Sequence, residues 1–265
     1  EHLRRSERLA TVGTLAAGLA HELGTPLHVI AGRARMIASA DGVNEDARSD
    51  ARAVVDQAAR VQQIIEQLLD FARPRRAERR TLDLPGLIRA DVDLLRPLLQ
   101  RRNVQAKLNV VGVPTGSRIS ADANQLRQVF TNLLLNAAQA MSEGGEIVIE
   151  VTYHQPTPEG LRGTAGAPPS FTRIAVRDHG SGIEPDDLPR LFDPFFTTKK
   201  VGEGSGLGLA VVHGIISGHG GWIGVESEPG KGSTFSVWLP EEPIQEDDAG
   251  SPGGPRGAII GGEQG

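Results

Sequence analysis

The sequence predicts an α+β protein built from two parts, an antiparallel helical hairpin over residues 1–76 and an α/β sandwich over residues 77–242. Apolar residues recur every three or four positions in the first part, which is the period of an amphipathic helix, whereas the second part contains short alternating or β-branched runs. Glycine is sparse before residue 80 and dense after residue 140. The remaining residues, 243–265, have the acidic and Gly/Pro-rich composition of a disordered tail.

The helical hairpin is predicted from two apolar stripes separated by a turn at Asp41–Asn44. The first stripe runs from Leu9 to Ile37. The second is an unbroken heptad pattern, typical of helices that pack against each other, formed by Ala47, Ala51, Val54, Ala58, Val61, Ile65, Leu68 and Ala72. One hairpin cannot cover both apolar faces, so we expect two copies to form a four-helix bundle, which makes the protein a homodimer. Pro74 ends the second helix, because proline disfavours helical geometry at the preceding residue.

Helices and strands alternate in the second part. The predicted elements are helices at 85–99, 122–141 and 207–218, and strands at 104–111, 118–120, 146–154, 171–178, 222–227 and 233–239. Asp122 is a suitable N-cap for the helix that follows it. The segment 155–170 is predicted to be a surface loop that joins two strands of a hairpin, and we expect the chain after Pro240 to be disordered.

Composition excludes several classes of protein. None of the 265 residues is cysteine, which excludes disulfides and thiolate-bound metals and agrees with a cytoplasmic location. The formal net charge of −5 argues against nucleic acid as a partner. No apolar run approaches the ~18 residues of a membrane span. We therefore expect no membrane contact within this chain, although a longer protein that contains it could be anchored in a membrane.

A histidine adjoins a carboxylate inside the first predicted helix, in the segment His21-Glu22-Leu23-Gly24-Thr25-Pro26. His21 lies off the apolar stripe and faces water or a partner, and Thr25 lies one turn along on the same face. Pro26 removes a helical hydrogen bond, which destabilises a helix by about 3 kcal/mol, and such a residue is unusual beside a histidine. The zinc-protease pattern HExxH is excluded, because Thr25 takes the place of the second histidine. A kinked bundle helix with a solvated histidine remains the alternative.

Amide side chains line one face of the helix predicted at 122–141. Asn132 and Asn136 stack on this face, with Gln128 and Gln139 near it. Amide oxygens are neutral ligands, which suit a Mg²⁺ ion that is also bound by phosphate and water. The pattern therefore indicates a candidate magnesium site, although an ordinary polar helix face is the commoner explanation when the pattern is taken alone.

Two glycine-rich segments flank a phenylalanine-rich one. Asp178–Ile183 follows an apolar strand, where an aspartate can accept a hydrogen bond from an amine and glycines let the backbone approach a ligand. Gly202–Leu209 leads into a helix, and the free N–H groups of a helix N-terminus bind phosphate. The segment Leu191–Lys200 between them holds three of the seven phenylalanines and is predicted to be a mobile lid that is anchored by aromatic contacts.

In this order, the features resemble the transmitter core of a two-component sensor histidine kinase over about residues 9–240. The end of the amide helix, Asn136–Met141, resembles the nitrogen-regulation type of that family. The matching segments are, in chain order, the H-box at His21–Pro26, the N-box at Asn132–Asn136, the G1 box at Asp178–Ile183, the F-box at Phe192–Phe196 and the G2 box at Gly204–Leu209.

The resemblance implies an enzyme that phosphorylates itself on His21 with Mg-ATP and passes the phosphoryl group to an aspartate on the receiver domain of a response regulator. It implies that Glu22 accepts the proton of His21. Thr25 matches a family residue that can orient the water molecule used to dephosphorylate the regulator. The fold implied is a dimeric phosphoacceptor hairpin followed by a sandwich of the Bergerat (GHKL) ATPase type.

The resemblance also implies which residues bind the nucleotide. Asn136 would bind Mg²⁺, Asn132 would lie beside the phosphates of ATP, and Asp178 would bind the adenine amine. The remaining residues expected at the nucleotide are Gly180, Gly182, Ile183, Phe192, Thr198, Lys199, Gly204, Gly206, Leu207 and Gly208.

One departure from the family pattern concerns phosphate binding. Gln139 and Ala140 replace a basic and an aromatic residue that many members have after the N-box, so Lys199 or Lys200 in the lid is a candidate for the missing basic contact.

Two alternatives to an active kinase remain. One alternative is a degenerate kinase that serves as a nucleotide-binding dimeric scaffold. The other is a different ATPase of the GHKL fold, against which the upstream helical hairpin argues.

Overall fold

The computed structural model describes residues 26–72, 77–112, 117–161, 168, 170–199 and 205–243. Within those ranges, no helix combines the length and the apolar character that crossing a membrane requires. The predicted phosphoacceptor segment up to Thr25, and Gly204 of the second glycine-rich segment, lie outside the described residues.

Five helices are described. They are α1 (residues 26–39), α2 (Glu45–Ala72), α3 (Leu84–Gln100), α4 (Ala123–Ala140) and α5 (Gly208–Gly218), with single turns of 3₁₀ helix at Glu159–Leu161 and Leu188–Arg190. The predicted bounds of α3, α4 and α5 differ from these by at most one residue. Asp122 caps α4 as predicted, since its carboxylate accepts hydrogen bonds from the N–H groups of Asn124 and Gln125 at 2.9 and 3.2 Å.

The strands form one large sheet and two short ribbons. They are β1 (Arg80–Thr81), β2 (Val104–Val111), β3 (Ser117–Arg118), β4 (Ser120–Ala121), β5 (Gly145–Gln155), β6 (Phe171–Arg177), β7 (Trp222–Glu228), β8 (Gly232–Pro240) and β9 (Glu242–Pro243). The large sheet has the order β2-β5-β6-β8-β7. Its pairs are antiparallel except for β2 and β5, which run parallel because α4 lies in the crossover between them.

The helices α3, α4 and α5 pack on the sheet and enclose one hydrophobic core. Residues of β5 alternate in burial, so that Ile147, Ile149 and Val151 are each at most 1% exposed. Phe130 and Leu133 of α4 belong to the same core and are equally buried. The described residues of the second part therefore form an α/β sandwich, as predicted from the sequence.

The helical hairpin leaves half of its apolar seam on the surface. Ala34 of α1 and Ala51, Ala58 and Ile65 of α2 are buried. The intervening seam positions remain exposed, namely Ile30 at 49%, Ile37 at 49%, Val54 at 43% and Val61 at 39%. A single chain thus leaves apolar seam residues uncovered. The homodimer is predicted from the sequence on the same ground, that one hairpin cannot cover both apolar faces.

The expectation that disorder begins after Pro240 is wrong for the next three residues. The side chain of Glu241 is 1% exposed. Its carboxylate accepts hydrogen bonds from the hydroxyl groups of Ser170 and Thr172 at 2.8 and 2.7 Å and from the N–H of His154 at 2.9 Å. Strand β9 then pairs with β3. Composition could not reveal this, because the charge of Glu241 is satisfied by residues distant in sequence.

Candidate functional site

The amide face of α4 lies beside the start of α5. Asn132 and Asn136 are half-buried and stand one helical turn apart, as predicted. The Nδ2 of Asn132 donates a hydrogen bond of 3.3 Å to the carbonyl oxygen of Gly208, the first residue of α5. This contact places the free N–H groups at the N-terminus of α5 next to the polar face of α4.

The lid contacts the same face through Lys199. Its Nζ donates a hydrogen bond of 3.1 Å to Asn136 Oδ1, and it also contacts Gln139 Oε1. The backbone N–H of Lys199 donates to Thr197 Oγ1 at 3.2 Å. Thr198, another predicted site residue, is exposed. The structure therefore brings Asn132, Asn136 and Lys199 together, and it adds Gln139 to the group.

Asp178 directly follows β6 and is 3% exposed. Its Oδ1 accepts hydrogen bonds from the N–H groups of Gly180 at 2.9 Å and Ser233 at 3.3 Å. Burial raises the pKa of Asp178, although these two N–H groups and the neighbouring His179 act in the opposite direction. A buried carboxylate with such fixed geometry can bind a hydrogen-bond donor of a ligand selectively.

Glycines of the two loops serve close contacts within the protein. A Cβ on Gly180 would lie 2.6 Å from the carbonyl oxygen of Ala140 at the end of α4. Gly182 has a φ of 68° and would place a Cβ 2.1 Å from the carbonyl oxygen of Glu228. Both glycines therefore let the loop pack closely against α4 and β7, and their role at a ligand stays a prediction.

The loop after β6 is also tied to α4 by hydrogen bonds. The N–H of Ser181 donates to the carbonyl oxygen of Ala140 at 3.1 Å. Ile183, a predicted site residue, donates its N–H to Ser227 Oγ at 2.9 Å and packs against the hydrophobic core. Both candidate loops are thus anchored on α4, one at its C-terminal end and one at Asn132.

Aromatic contacts hold the described part of the lid, as the sequence predicts. The rings of Phe192 and His213 of α5 are 5.5 Å apart. The guanidinium of Arg190 lies 4.7 Å from the centre of the Phe196 ring. Phe195 has a φ of 67° and is 55% exposed, and its N–H donates to the carbonyl oxygen of Gly206 at 3.0 Å. The lid residues 192–196 therefore lie against α5 and the second glycine-rich segment.

The start of α5 is fixed by close packing. Gly206 has a φ of 67°, and a Cβ there would lie 2.4 Å from the carbonyl carbon of Phe195. Leu207 is fully buried, and Gly208 faces the side chain of Asn132. These three predicted residues thus lie together beside α4, where N–H groups of the helix terminus are suited to bind a phosphate.

A buried histidine that the sequence did not single out connects α4, α5 and the segment after the hairpin. His219 is 2% exposed, and its Nε2 accepts a hydrogen bond from the N–H of Asp122 at 3.0 Å. Its Nδ1 lies 2.8 Å from the carbonyl oxygen of Ile215. The guanidinium of Arg79 donates to the carbonyl oxygen of Gly218 at 2.5 Å, and the N–H of Glu78 donates to the carboxylate of Asp122 at 2.9 Å.

The described residues fit a magnesium ion only if a bound phosphate and water molecules supply most of its ligands. The described residues contain no group of three histidine, aspartate or glutamate side chains that could hold a metal. Asn136 Oδ1 already accepts a hydrogen bond from an ammonium group, so it is directed towards a cation. One amide oxygen suits a Mg²⁺ whose other ligands are phosphate oxygens and waters.

Two family models match the chain. One, described as a His Kinase A (phospho-acceptor) domain, matches residues 11–77, and the other, described as a histidine kinase-, DNA gyrase B- and HSP90-like ATPase, matches residues 121–243. The sensor histidine kinase ZraS of Escherichia coli K12 is 37% identical over 250 residues, which are 94% of this chain and 50% of ZraS. The chain belongs to the sensor histidine kinases. Another relative is the signal transduction histidine-protein kinase AtoS of the same organism, 35% identical over 91% of this chain and 37% of AtoS.

Solved structures of histidine kinases share the fold. Full-length ShkA in complex with AMPPNP has a TM-score of 0.67 and 28% identity, over 87% of this chain and 46% of ShkA. The histidine kinase ThkA in complex with the response regulator protein TrrA has a TM-score of 0.63 and 26% identity, over 93% of this chain and 66% of that chain. The predicted fold class of a histidine kinase transmitter is therefore confirmed, whereas the nitrogen-regulation type stays a prediction. The chain spans about half the length of the curated ZraS relatives it matches.

Proposed function

We propose that the protein phosphorylates His21 with the γ-phosphoryl group of Mg-ATP and passes this group to an aspartate on the receiver domain of a response regulator. The observation that carries the proposal is the convergence of Asn132, Asn136 and Lys199 with the N-terminus of α5. Amide oxygens, a cation and free N–H groups are what a triphosphate with a metal ion requires. The His Kinase A match over residues 11–77 supports His21 as the acceptor.

The adenine of ATP is assigned to the buried carboxylate of Asp178. Its fixed position leaves the carboxylate able to accept a hydrogen bond from the adenine amine, which distinguishes adenine from guanine. Gly180 and Gly182 shape the loop beside it, and Ile183 packs on the apolar side. AMPPNP in the ShkA structure supports a nucleotide of this class.

The reaction assigns a role to three residues of the first motif. A nitrogen lone pair of neutral His21 forms a bond to the γ-phosphorus, while the bond from that phosphorus to the bridging oxygen breaks and ADP leaves with the electron pair. Glu22 accepts the proton that His21 loses. A Mg²⁺ ion held by Asn136 would supply positive charge beside the transferring group. Thr25 positions water when the regulator is dephosphorylated.

The assembly and the partner follow from the same family assignment. The exposed half of the α1 and α2 seam supports a homodimer. ThkA, which shares the fold, was crystallised with a response regulator, and this supports a receiver domain as the partner. Residues 1–76 would then be the phosphoacceptor part, 77–242 the ATP-binding part and 243–265 a tail, in a cytoplasmic location.

Labelling with γ-³²P ATP and Mg²⁺ tests the proposal. The wild type should acquire label that is lost in acid and stable in base, as expected of phosphohistidine, and His21→Gln should acquire none. His28→Gln is the control, because it replaces another histidine of the first helix, one that is exposed. Label that persists in His21→Gln, or acid-stable label in the wild type, would contradict the proposal. Unlabelled wild type that still binds ATP would instead favour the degenerate scaffold.

A further inference from the structure

Lys199 brings a positive charge to an otherwise uncharged face of α4. Its Nζ lies 3.1 Å from Asn136 Oδ1 and contacts Gln139 Oε1. The polar side chains along that face include the neutral amides of Gln128, Asn132, Asn136 and Gln139. A triphosphate bound against this face therefore obtains no positive charge from these amides of α4.

The position of the ammonium conflicts with a metal ion on Asn136. Lys199 and Mg²⁺ would compete for the same amide oxygen, and two cations a few ångströms apart repel each other. Binding of Mg²⁺ at Asn136 therefore requires Lys199 to leave that oxygen. The flexible stem of a lysine allows its ammonium to move by several ångströms while the backbone stays in place.

We propose that Lys199 is a phosphate-binding residue and that Gln139 is the positioning residue that holds it in the nucleotide-free protein. In that state the ammonium takes the place of Mg²⁺ on Asn136. When Mg-ATP binds, Lys199 moves to an oxygen of the β- or γ-phosphate. This inference rests on the proposed function, because it requires the ATP site on α4.

The arrangement explains why a glutamine stands at position 139. A basic side chain there would repel Lys199 from Asn136, whereas an amide oxygen accepts its hydrogen bond. The positive charge beside α4 is then supplied by Lys199 of the lid and not by a residue of α4. Since the backbone N–H of Lys199 bonds to Thr197, the contact also fixes the described end of the lid against α4.

Calorimetric titration with Mg-AMPPNP and with AMP tests the role of Lys199. Lys199→Met keeps most of the length of the side chain and removes its charge. We expect it to bind Mg-AMPPNP about 10- to 100-fold more weakly, since it loses a charged hydrogen bond, and to bind AMP as the wild type does. In the double variant Lys199→Met/Gln139→Arg, a cation supplied by α4 should restore most of the lost affinity for Mg-AMPPNP.

The possible results separate the inference from the function on which it rests. Wild-type affinity of Lys199→Met for Mg-AMPPNP, or an equal loss for AMP and Mg-AMPPNP, would overturn the inference and leave the kinase intact. Failure of the arginine at position 139 to restore any affinity would also overturn it. A wild type that binds neither nucleotide would overturn the proposed function and the inference together.

Amide hydrogen exchange in the nucleotide-free protein tests the role of Gln139. Gln139→Ala should speed exchange in residues 191–199, because Lys199 loses one of its partners on α4. Gln128→Ala is the matched control, since it removes an amide from the same helix face without touching this contact. Unchanged exchange in Gln139→Ala would refute the positioning role.

Discussion

The binding role proposed for Asp178 carries an energetic cost. Burial raises its pKa above the ordinary value, despite the N–H groups of Gly180 and Ser233 and the proximity of His179. A carboxyl whose pKa is higher in the folded state destabilises the fold when ionised. This cost is absent below the unfolded-state pKa and fully present above the folded-state pKa. The ionised form, however, is the one suited to accept a hydrogen bond from an adenine amine.

Replacing Asp178 by Asn should separate these two effects. The amide oxygen can still accept from Gly180, so we expect the melting temperature at pH 7.5 to stay the same or rise as the buried charge disappears. AMP should bind about 10- to 100-fold more weakly, because a charged acceptor is lost. Thermal melting and calorimetric titration measure both, with the exposed Asp186→Asn as control. A large drop in melting temperature with unchanged AMP affinity would contradict this account.

Individual site residues differ in how far the sequence could predict them. Asn132, Asn136 and Asp178 were predictable, because each lies in a local pattern whose helix or strand was also predictable. The contact of Lys199 with Gln139 was not, since it joins positions 60 residues apart. The only feature of the local sequence that pointed to this contact was the absence of a basic residue at position 139.

At the scale of secondary structure, α5 is attached to α4 at both ends. Asn132 binds the carbonyl oxygen of Gly208 at the N-terminus of α5, and His219 binds the N–H of Asp122 just beyond its C-terminus. Accepting at Nε2 while Nδ1 faces a carbonyl oxygen requires a neutral imidazole. The orientation of α5, and thus of the N–H groups proposed to bind phosphate, depends on this histidine.

His219→Gln should weaken the fold in a pH-dependent way. Burial lowers the pKa of His219 from its ordinary value of 6.5. Its contribution is therefore fully present above pH 6.5 and is lost as pH falls through the folded-state pKa. We expect His219→Gln to lose about 1–3 kcal/mol at pH 7.5, and this deficit to shrink towards pH 5.

Urea unfolding at several pH values measures that deficit. The control is His28→Gln, which replaces an exposed histidine and should unfold like the wild type at every pH. A deficit for His219→Gln that stays constant between pH 7.5 and pH 5 would show that ionisation of His219 is not involved.

Helix and strand bounds were largely predictable, but their pairing was not. Capping by Asp122 and the 3.6-residue period locate α4 to within one residue, because both signals are local. The parallel pairing of β2 with β5 and the ribbon of β3 with β9 depend on contacts between distant segments. The acidic and Gly/Pro-rich composition after Pro240 therefore predicts disorder at residues that in fact form β9.

At the scale of the whole molecule, the exposed seam should determine assembly. Val54 and Val61 are exposed in the single chain and lie on the predicted seam. Replacing both by glutamate would bury two charges in a bundle interface, so we expect the variant to be a monomer with little autophosphorylation. Light scattering after size-exclusion chromatography measures this, with the exposed Ala53→Glu as the off-seam control. A dimeric double variant would show that the interface lies elsewhere.

Glu241 has a practical consequence for anyone who shortens this chain. Ending it at Pro240 would remove the acceptor of the Thr172 hydroxyl, which is fully buried, along with that of Ser170. An unsatisfied buried group costs about 1–3 kcal/mol, so a chain ending at Pro240 should melt several degrees below one ending at Pro243. Equal melting temperatures would show that the carboxylate contributes little. A second domain fused behind this one should accordingly be joined after Pro243, beyond the last described strand rather than before it.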